Sequence, residues 1–282
     1  MKLLVSILIF FYYYWDINKV LRLEATELKM APRIIMKMDR SIFGGLFHRL
    51  RQIKKVIKLE LITSHKIQIN FSKSQNDILS SLCVKHGSDK GELTDEKQVF
   101  SWRSHNYADF YAIIFDHTRE SIKKVFECGL GTNNTDVPSN MGADGKPGAS
   151  LRVWRDYFPN AEIYGADIDK RVLFEETRIK TFYVDQCDPT TISNMWTEIA
   201  TDNFDLIVDD GLHTFEAGKC LFENSINKLA SNGTYIIEDV SIPDLVKYRH
   251  YFKDKNYNVK YINLIRSTVN VRDNNMVMIR HN

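Results

Sequence analysis

Phe204-Asp205-Leu206-Ile207-Val208-Asp209-Asp210-Gly211-Leu212-His213 carries a mainly apolar run straight into two carboxylates, a glycine and a histidine. A short apolar run bounded by turn residues reads as a strand buried on both faces of a parallel sheet. A second run, Thr234–Ile237, ends the same way in Glu238-Asp239. Neighbouring parallel strands lie about 4.8 Å apart, so their carboxyl ends would gather several carboxylates and an imidazole at the edge where open sheets bind ligands. Like charges gathered there raise one another's pKa unless a cation or hydrogen-bond donors neutralise them. Asp210, Glu238 and Asp239 therefore suit a hard divalent cation, with His213 overhanging it as a proton acceptor. The alternatives are that the acids cap helices, and that His213 is itself a ligand or a cap.

Upstream, Val125-Phe126-Glu127-Cys128-Gly129-Leu130-Gly131 ends another apolar run in a turn whose glycines let the backbone bend sharply and a ligand approach closely. A full dinucleotide fingerprint would place a third glycine where Asn134 stands, which weakens a nicotinamide reading. Tyr164-Gly165-Ala166-Asp167 ends the next strand with an acid able to accept from two ribose hydroxyls, about forty residues after the glycines. The extra length is the loop 132–148; five of the thirteen glycines lie between 129 and 148, and a long loop of this kind is more often functional than accidental. Asp185-Gln186 follows a further strand and could bracket a purine, or simply cap the helix that begins at Asp188-Pro189.

Strand patterns at Lys124–Cys128, Glu162–Ala166, Thr181–Val184, Phe204–Val208, Thr234–Ile237, Val259–Leu264 and Met276–Arg280 are mostly separated by helical ones. The helices fall near 149–158, 170–178, 189–200, 214–230 and 242–253, preceded by Gln75–Lys85 and Tyr107–Thr118. This alternation predicts an α/β, doubly wound, mostly parallel sheet of seven strands. The final two strands are joined by a short polar stretch with no room for a crossover helix, so they form an antiparallel hairpin.

A chain of 282 residues with 44% hydrophobic and 26% charged residues holds one α/β domain and an appendage. The net charge of +2 is uneven: residues 1–60 carry twelve Lys/Arg against five Asp/Glu. We read residues 1–70 as a basic helical extension and 71–282 as the α/β domain. Leu50, Ile53, Val56 and Ile57 recur at helical spacing among basic residues, so the segment is either a solvated helix or one lying on an anionic membrane surface. No stacking motif accompanies the charge, which argues against nucleic acid. Leu3 to Trp15 is uncharged and, but for Ser6, apolar or aromatic, yet it is shorter than the ~20 residues of a spanning helix. Four scattered cysteines, Cys83, Cys128, Cys187 and Cys220, fit a reducing cytoplasmic compartment.

Together with Lys85-His86-Gly87-Ser88-Asp89-Lys90-Gly91, the segment 148–159 and the four strand ends, these residues resemble a class I S-adenosylmethionine-dependent methyltransferase. More narrowly, the chain is similar over roughly residues 75–282 to the metal-dependent macrolide sugar O-methyltransferases, with relatives in bacterial surface-glycan synthesis. The strand succession matches the methyltransferase version of the doubly wound fold. The resemblance implies that Glu127, Gly129 and Gly131 hold the methionine end of the cofactor and Asp167 its ribose. Asp185, Gln186 and Asp209 would complete the cofactor site. It implies magnesium on Asp210, Glu238 and Asp239, with His213 as general base and a sugar or glycoside as acceptor. Residues 85–90 and His105-Asn106-Tyr107 would lie over the pocket. A homo-oligomer is compatible with this, as are two other functions: a metal-independent small-molecule methyltransferase and a non-catalytic membrane-associated scaffold.

Overall fold

The computed structural model describes residues 77–92, 102–137, 139–264 and 274–282. The extension 1–70, its boundary with the α/β domain and its membrane-facing reading lie outside the described residues. No helix among the described residues is long and apolar enough to cross a membrane.

The helices are α1 (Ile78–His86), α2 (Tyr107–Phe115), α3 (Ala149–Tyr157), α4 (Pro189–Ile199), α5 (Phe215–Ser225) and α6 (Ile242–Phe252). The strands are β1 (Lys124–Cys128), β2 (Glu162–Asp167), β3 (Glu175–Glu176), β4 (Ile179–Tyr183), β5 (Phe204–Asp209), β6 (Leu229–Ile237), β7 (Tyr257–Asn263) and β8 (Asn275–His281). Side-chain oxygens begin most helices: Asp77, Asp188, Thr214 and Ser241 each accept from a backbone N–H in the first turn of α1, α4, α5 and α6.

The sheet order is β3-β4-β2-β1-β5-β6-β8-β7. The pairs β1–β2, β2–β4, β1–β5 and β5–β6 are parallel, and β8 runs antiparallel between β6 and β7. The chain works outward from β1 to β4 and then returns to β5 on the other side of β1, so the order reverses between β1 and β5. Ligands bind at such a reversal, outside the carboxyl ends of the strands. Register sets what meets there: Cys128 pairs with both Ala166 and Asp209, and Asp209 pairs with Ile237. The next residues, Gly129, Asp167, Asp210 and Glu238, stand at one level along the sheet edge.

Successive residues of each strand feed opposite cores. Phe126, Ile207 and Tyr235 pack with Trp196, Leu221 and Tyr248 from α4, α5 and α6. Val125, Leu206, Val208 and Ile236 pack with Leu79, Tyr111 and Trp154 from α1, α2 and α3. Both sheet faces are thus covered, which is why the central strands read as continuous apolar runs.

Three boundaries differ from the sequence reading. The segment 170–178 is no helix: Asp169 accepts from the Arg171 backbone and guanidinium, limiting the segment to a 3-10 turn over Lys170–Val172. The chain then forms β3, antiparallel to β4, so the sheet has eight strands rather than seven. The helix placed at 214–230 stops at Ser225, and β6 begins at Leu229, well before Thr234. Propensity misses such short hairpins and strand extensions because sheet pairing, a tertiary contact, decides them.

Gly129 has φ 96°, and a Cβ there would stand 2.0 Å from the Asp210 carbonyl oxygen. The turns after β1 and β5 are therefore packed backbone to backbone. Gly129→Ala should destabilise the fold by about 3 kcal/mol or more, through strain and collision with an unyielding carbonyl. Urea unfolding measures this, and a loss below about 1 kcal/mol would show that the turns can separate.

Candidate active site

A cavity of about 690 Å³ opens over the reversal point, within the size range of small-molecule sites. Gly129, Leu130, Gly131, Asp167, Ile168 and Asp185 line one end; Asp210, His213, His105 and Asp239 line the other.

At the first end, Gly129 and Gly131 have positive φ and border the cavity without side chains. Asp167 Oδ2 accepts from Leu130 N at 2.8 Å and Oδ1 from Asp169 N at 2.8 Å. Each oxygen keeps a second lone pair, so the carboxylate is oriented by the backbone yet still able to accept from a ligand. Burial raises its pKa against the pull of those N–H groups. Asp185 accepts from Cys187 N and also borders the cavity. The loop over this end is tied down by Asp169, which accepts from Thr132, Asn134 and Arg171, while Arg171 also grips Asp136.

Three residues expected on the cofactor do other work. Glu127 is fully buried and does not line the cavity; its carboxylate accepts from Ser150 Oγ at 2.6 Å and from Trp154 Nε1. Gln186 borders the cavity, but its amide donates to Asp209 Oδ1 at 2.5 Å and accepts from Leu212 N at 2.8 Å, strapping the turn after β5. Asp209 points away from the cavity into the core, where Oδ2 is buried without a hydrogen-bond partner. Burial pushes its pKa up to about 6. The alternation of side chains along β5 explains the difference between Asp209 and Asp210.

At the other end, ligand atoms of Asp210, His213 and Asp239 all lie within 4.8 Å of one another, a group that could hold a metal ion. His213 Nε2 is 3.2 Å from Asp210 Oδ1 and 3.5 Å from Asp239 Oδ2. His213 and Asp239 both have left-handed backbones, φ 57° and 51°, a costly conformation for residues with side chains. Burial works to lower the His213 pKa, but Asp239, Asp210 and Asp209 together push it up to about 10. Unless their charge is met by another cation, the imidazole is protonated at neutral pH.

Glu238 is not among these ligand atoms. Its oxygens accept from Lys90 Nζ and, at 2.5 Å, from Tyr111 Oη. Lys90, almost fully buried, also donates to Asp210 Oδ2 at 2.6 Å and lies 3.5 Å from Glu127 Oε1. The expected three-carboxylate cation site is thus divided by an ammonium group: Glu238 turns inward to Lys90, and Asp210 and Asp239 face the cavity. Burial alone would lower the Lys90 pKa, but Asp210, Glu127 and Glu238 hold it well above its ordinary value. Asp210 is kept well below the usual carboxylate range by Lys90 and His213 despite its burial. The oxygen donors of Asp210 and Asp239 fit a hard divalent cation.

The segment 85–90 also divides. Lys85 and His86 pair with Asp156 away from the cavity, Ser88 and Asp89 line it, and Lys90 lies beneath it. Tyr107 Oη donates to Asp239 Oδ1 at 2.5 Å, and Asp239 N donates back to that oxygen at 3.2 Å. Lys90 and Tyr111 carry no motif of their own at their distances from Glu238, 148 and 127 residues along the chain. The one available signal was an excess of carboxylates needing a counter-charge.

No protein-family profile matches the chain. Demethylmacrocin O-methyltransferase of Streptomyces fradiae is 31% identical over 219 residues, covering 75% of this chain and 53% of that protein. The 8-demethyl-8-alpha-L-rhamnosyl tetracenomycin-C 2'-O-methyltransferase of Streptomyces olivaceus is 30% identical over 162 residues, 57% of this chain and 37% of that protein. This chain resembles the sugar O-methyltransferases. It spans about half or less of the length of these curated relatives. Among solved structures, the MycE methyltransferase from the mycinamycin biosynthetic pathway, in complex with Mg, SAH and mycinamycin VI, superposes with a TM-score of 0.52. That match has 22% identity and covers 73% of this chain and 55% of the other, a likeness of fold.

Two outcomes follow from the buried charges. Because the folded pKa of Asp209 lies above the unfolded value of 3.8, ionising it opposes folding: the penalty is absent below pH 4, grows through pH 6 and is constant above. Asp209→Asn should therefore gain stability relative to wild type between pH 4 and pH 7, by up to about 3 kcal/mol, in urea titrations. A pH-independent difference would contradict this assignment. Lys90→Met leaves three carboxylates uncompensated and should cost about 3–5 kcal/mol, partly recovered by adding Glu238→Gln. No recovery in the double variant would show that Glu238 does not depend on Lys90.

Proposed function

We propose that the chain is an S-adenosylmethionine- and Mg-dependent O-methyltransferase acting on a sugar hydroxyl, in the synthesis of a bacterial glycan or a glycosylated natural product. The observation that carries this is the convergence of His213 with Asp210 and Asp239 in the cavity bordered by the Gly129–Gly131 turn. The relatives named above support the acceptor class: one is named for 2'-O-methylation of a rhamnosyl tetracenomycin, the other for O-methylation of demethylmacrocin. Residues 71–282 form the methyltransferase domain in this proposal. The four unpaired cysteines support a cytoplasmic setting.

When bound, the cofactor would supply a sulfonium methyl group, and a divalent cation would acidify the acceptor hydroxyl and offset carboxylate charge beside His213. Gly129 and Gly131 admit the cofactor close to the backbone, and Asp167 would accept from its ribose. Asp210 and Asp239 would hold the cation, each oriented from behind, Asp210 by Lys90 and Asp239 by Tyr107. His213 Nε2 would take the hydroxyl proton as the oxygen attacks the methyl carbon and the carbon–sulfur bond breaks. Orientation of acceptor and donor in one cavity supplies much of the rate.

A metal-independent reading has one observation in its favour: Lys90 already places a cation between Asp210 and Glu238. It leaves His213 with its pKa raised by Asp239, however, and so poorly suited to accept a proton at neutral pH.

Labelled S-adenosylmethionine with glycoside acceptors, at pH 7.5 with Mg, should give labelled product; EDTA should abolish it and Mg restore it. Activity that survives EDTA would select the metal-independent reading. His213→Ala should lower kcat about 10²–10⁴-fold while leaving S-adenosylhomocysteine affinity within about twofold. Parallel loss of both would assign His213 a structural role.

A further inference from the structure

Two cations in the cavity wall, Arg103 and Lys146, take no part in the site described above. Both are exposed, and among the described residues neither has a hydrogen-bond or ion-pair partner. By contrast, Lys90, Arg152 and Arg171 are each engaged by carboxylates. The acids that line the cavity have donors of their own. Asp89 accepts from Trp102 Nε1 at 2.9 Å, Asp167 and Asp185 from backbone N–H groups, Asp210 from Lys90 and Asp239 from Tyr107. Two positive groups therefore face the cavity with nothing in the chain to neutralise them.

They come from separate segments to one turn. The Trp102 indole donates to the Asp89 side chain and His105 N donates to Asp89 O at 2.7 Å, so residues 102–105 are pinned to Asp89 on either side of Arg103. Lys146 reaches the same turn from the loop 132–148: a Cβ on Gly87 would stand 3.1 Å from its Cδ and 3.3 Å from its Nζ. The bare Gly87 backbone thus makes room for the lysine side chain just before Ser88 and Asp89, which line the cavity. With two cations against the single acid Asp89, this part of the wall is net positive. Arg103 is two residues from His105, about 7 Å of chain at most, and His105 Nε2 is 3.3 Å from Asp239 Oδ1. The positive patch therefore lies within reach of a second substituent on a sugar whose hydroxyl stands at His213.

We infer that Arg103 and Lys146 bind a phosphate group carried by the acceptor sugar. This rests on the proposed sugar O-methyltransferase function and narrows its acceptors from glycosides in general to glycosyl phosphates. It places methylation before the sugar is transferred from its diphosphate carrier. The planar guanidinium matches two phosphate oxygens at once, and the ammonium adds a point charge on a flexible stem. A neutral glycoside offers neither cation a partner and gains nothing from them.

The test compares hexose 1-phosphates with the matching methyl hexopyranosides, in the gluco, galacto, manno and rhamno series. Calorimetry with S-adenosylhomocysteine and Mg present gives affinities for wild type, Arg103→Ala, Lys146→Ala, the double variant and Arg103→Lys. Wild type should bind a 1-phosphate about tenfold or more tightly than its neutral partner. That preference should shrink to about twofold or less in the double variant, with the single variants between and Arg103→Lys keeping more of it than Arg103→Ala. Added salt should narrow the preference of wild type and leave that of the double variant unchanged. S-adenosylhomocysteine affinity should stay within about twofold throughout. The kcat/KM for a nucleoside-diphosphate hexose against an isoprenyl-diphosphate hexose then identifies which carrier supplies the phosphate. No preference in wild type, or one that the double variant retains, would overturn the inference, while methyl transfer to the neutral glycosides would leave the methyltransferase function intact. A parallel fall in S-adenosylhomocysteine affinity would assign the cations to the cofactor's carboxylate and overturn it equally. Failure of wild type to bind or methylate any of these sugars would overturn both.

Discussion

One ammonium group, Lys90 Nζ, lies among the carboxylates of Asp210, Glu238 and Glu127, inside a molecule where an unpaired charge costs several kcal/mol. These carboxylates come from β1 and from the residues just beyond β5 and β6, so the pairing draws the central strand ends to the segment after α1. Tyr111 and Tyr107 extend the same arrangement from α2, donating to Glu238 and Asp239. The floor of the cavity is thus a charge-compensated layer, and the cavity exists because these groups fix where each strand end points.

That layer gives the site two sides. Glu127, Asp209 and Glu238 face inward to Trp154, Gln186, Tyr111 and Lys90, while Asp167, Asp210 and Asp239 face the cavity. The inward acids position backbone and neighbouring side chains; the outward acids remain available to a ligand. His213 and His105 both bear on Asp239, so one carboxylate is flanked by two imidazoles, one on each oxygen.

Much of the fold was legible because its causes are local. Val125-Phe126, Ile163 and Leu206-Ile207-Val208 are apolar on successive residues, which only a sheet covered on both faces requires. Asp188-Pro189 and Ser241 mark helix starts through hydrogen bonds spanning two or three residues. The segment 170–178 was misread because Asp169 and the pairing of Glu175–Glu176 with β4 outweigh a helical pattern. Within the site, Asp210, His213 and Asp239 were legible from their place after apolar runs, as were Gly129, Gly131 and Asp167. Which acids face inward was not, since adjacent residues at a strand end differ only in the side to which the pleat turns them.

The sequence by itself determined the α/β class, the succession of its central strands along the chain and the positions at which glycine, acid and histidine follow them, because periodicity, turn chemistry and helix capping act over a few residues. Only the tertiary structure decided that Lys90 takes Glu238 away from Asp239, and that Asn274 turns His105 toward the cavity. Those outcomes depend on electrostatic and hydrogen-bond partners separated by 148 and 169 residues, and such pairings exist only once the sheet edge has been assembled.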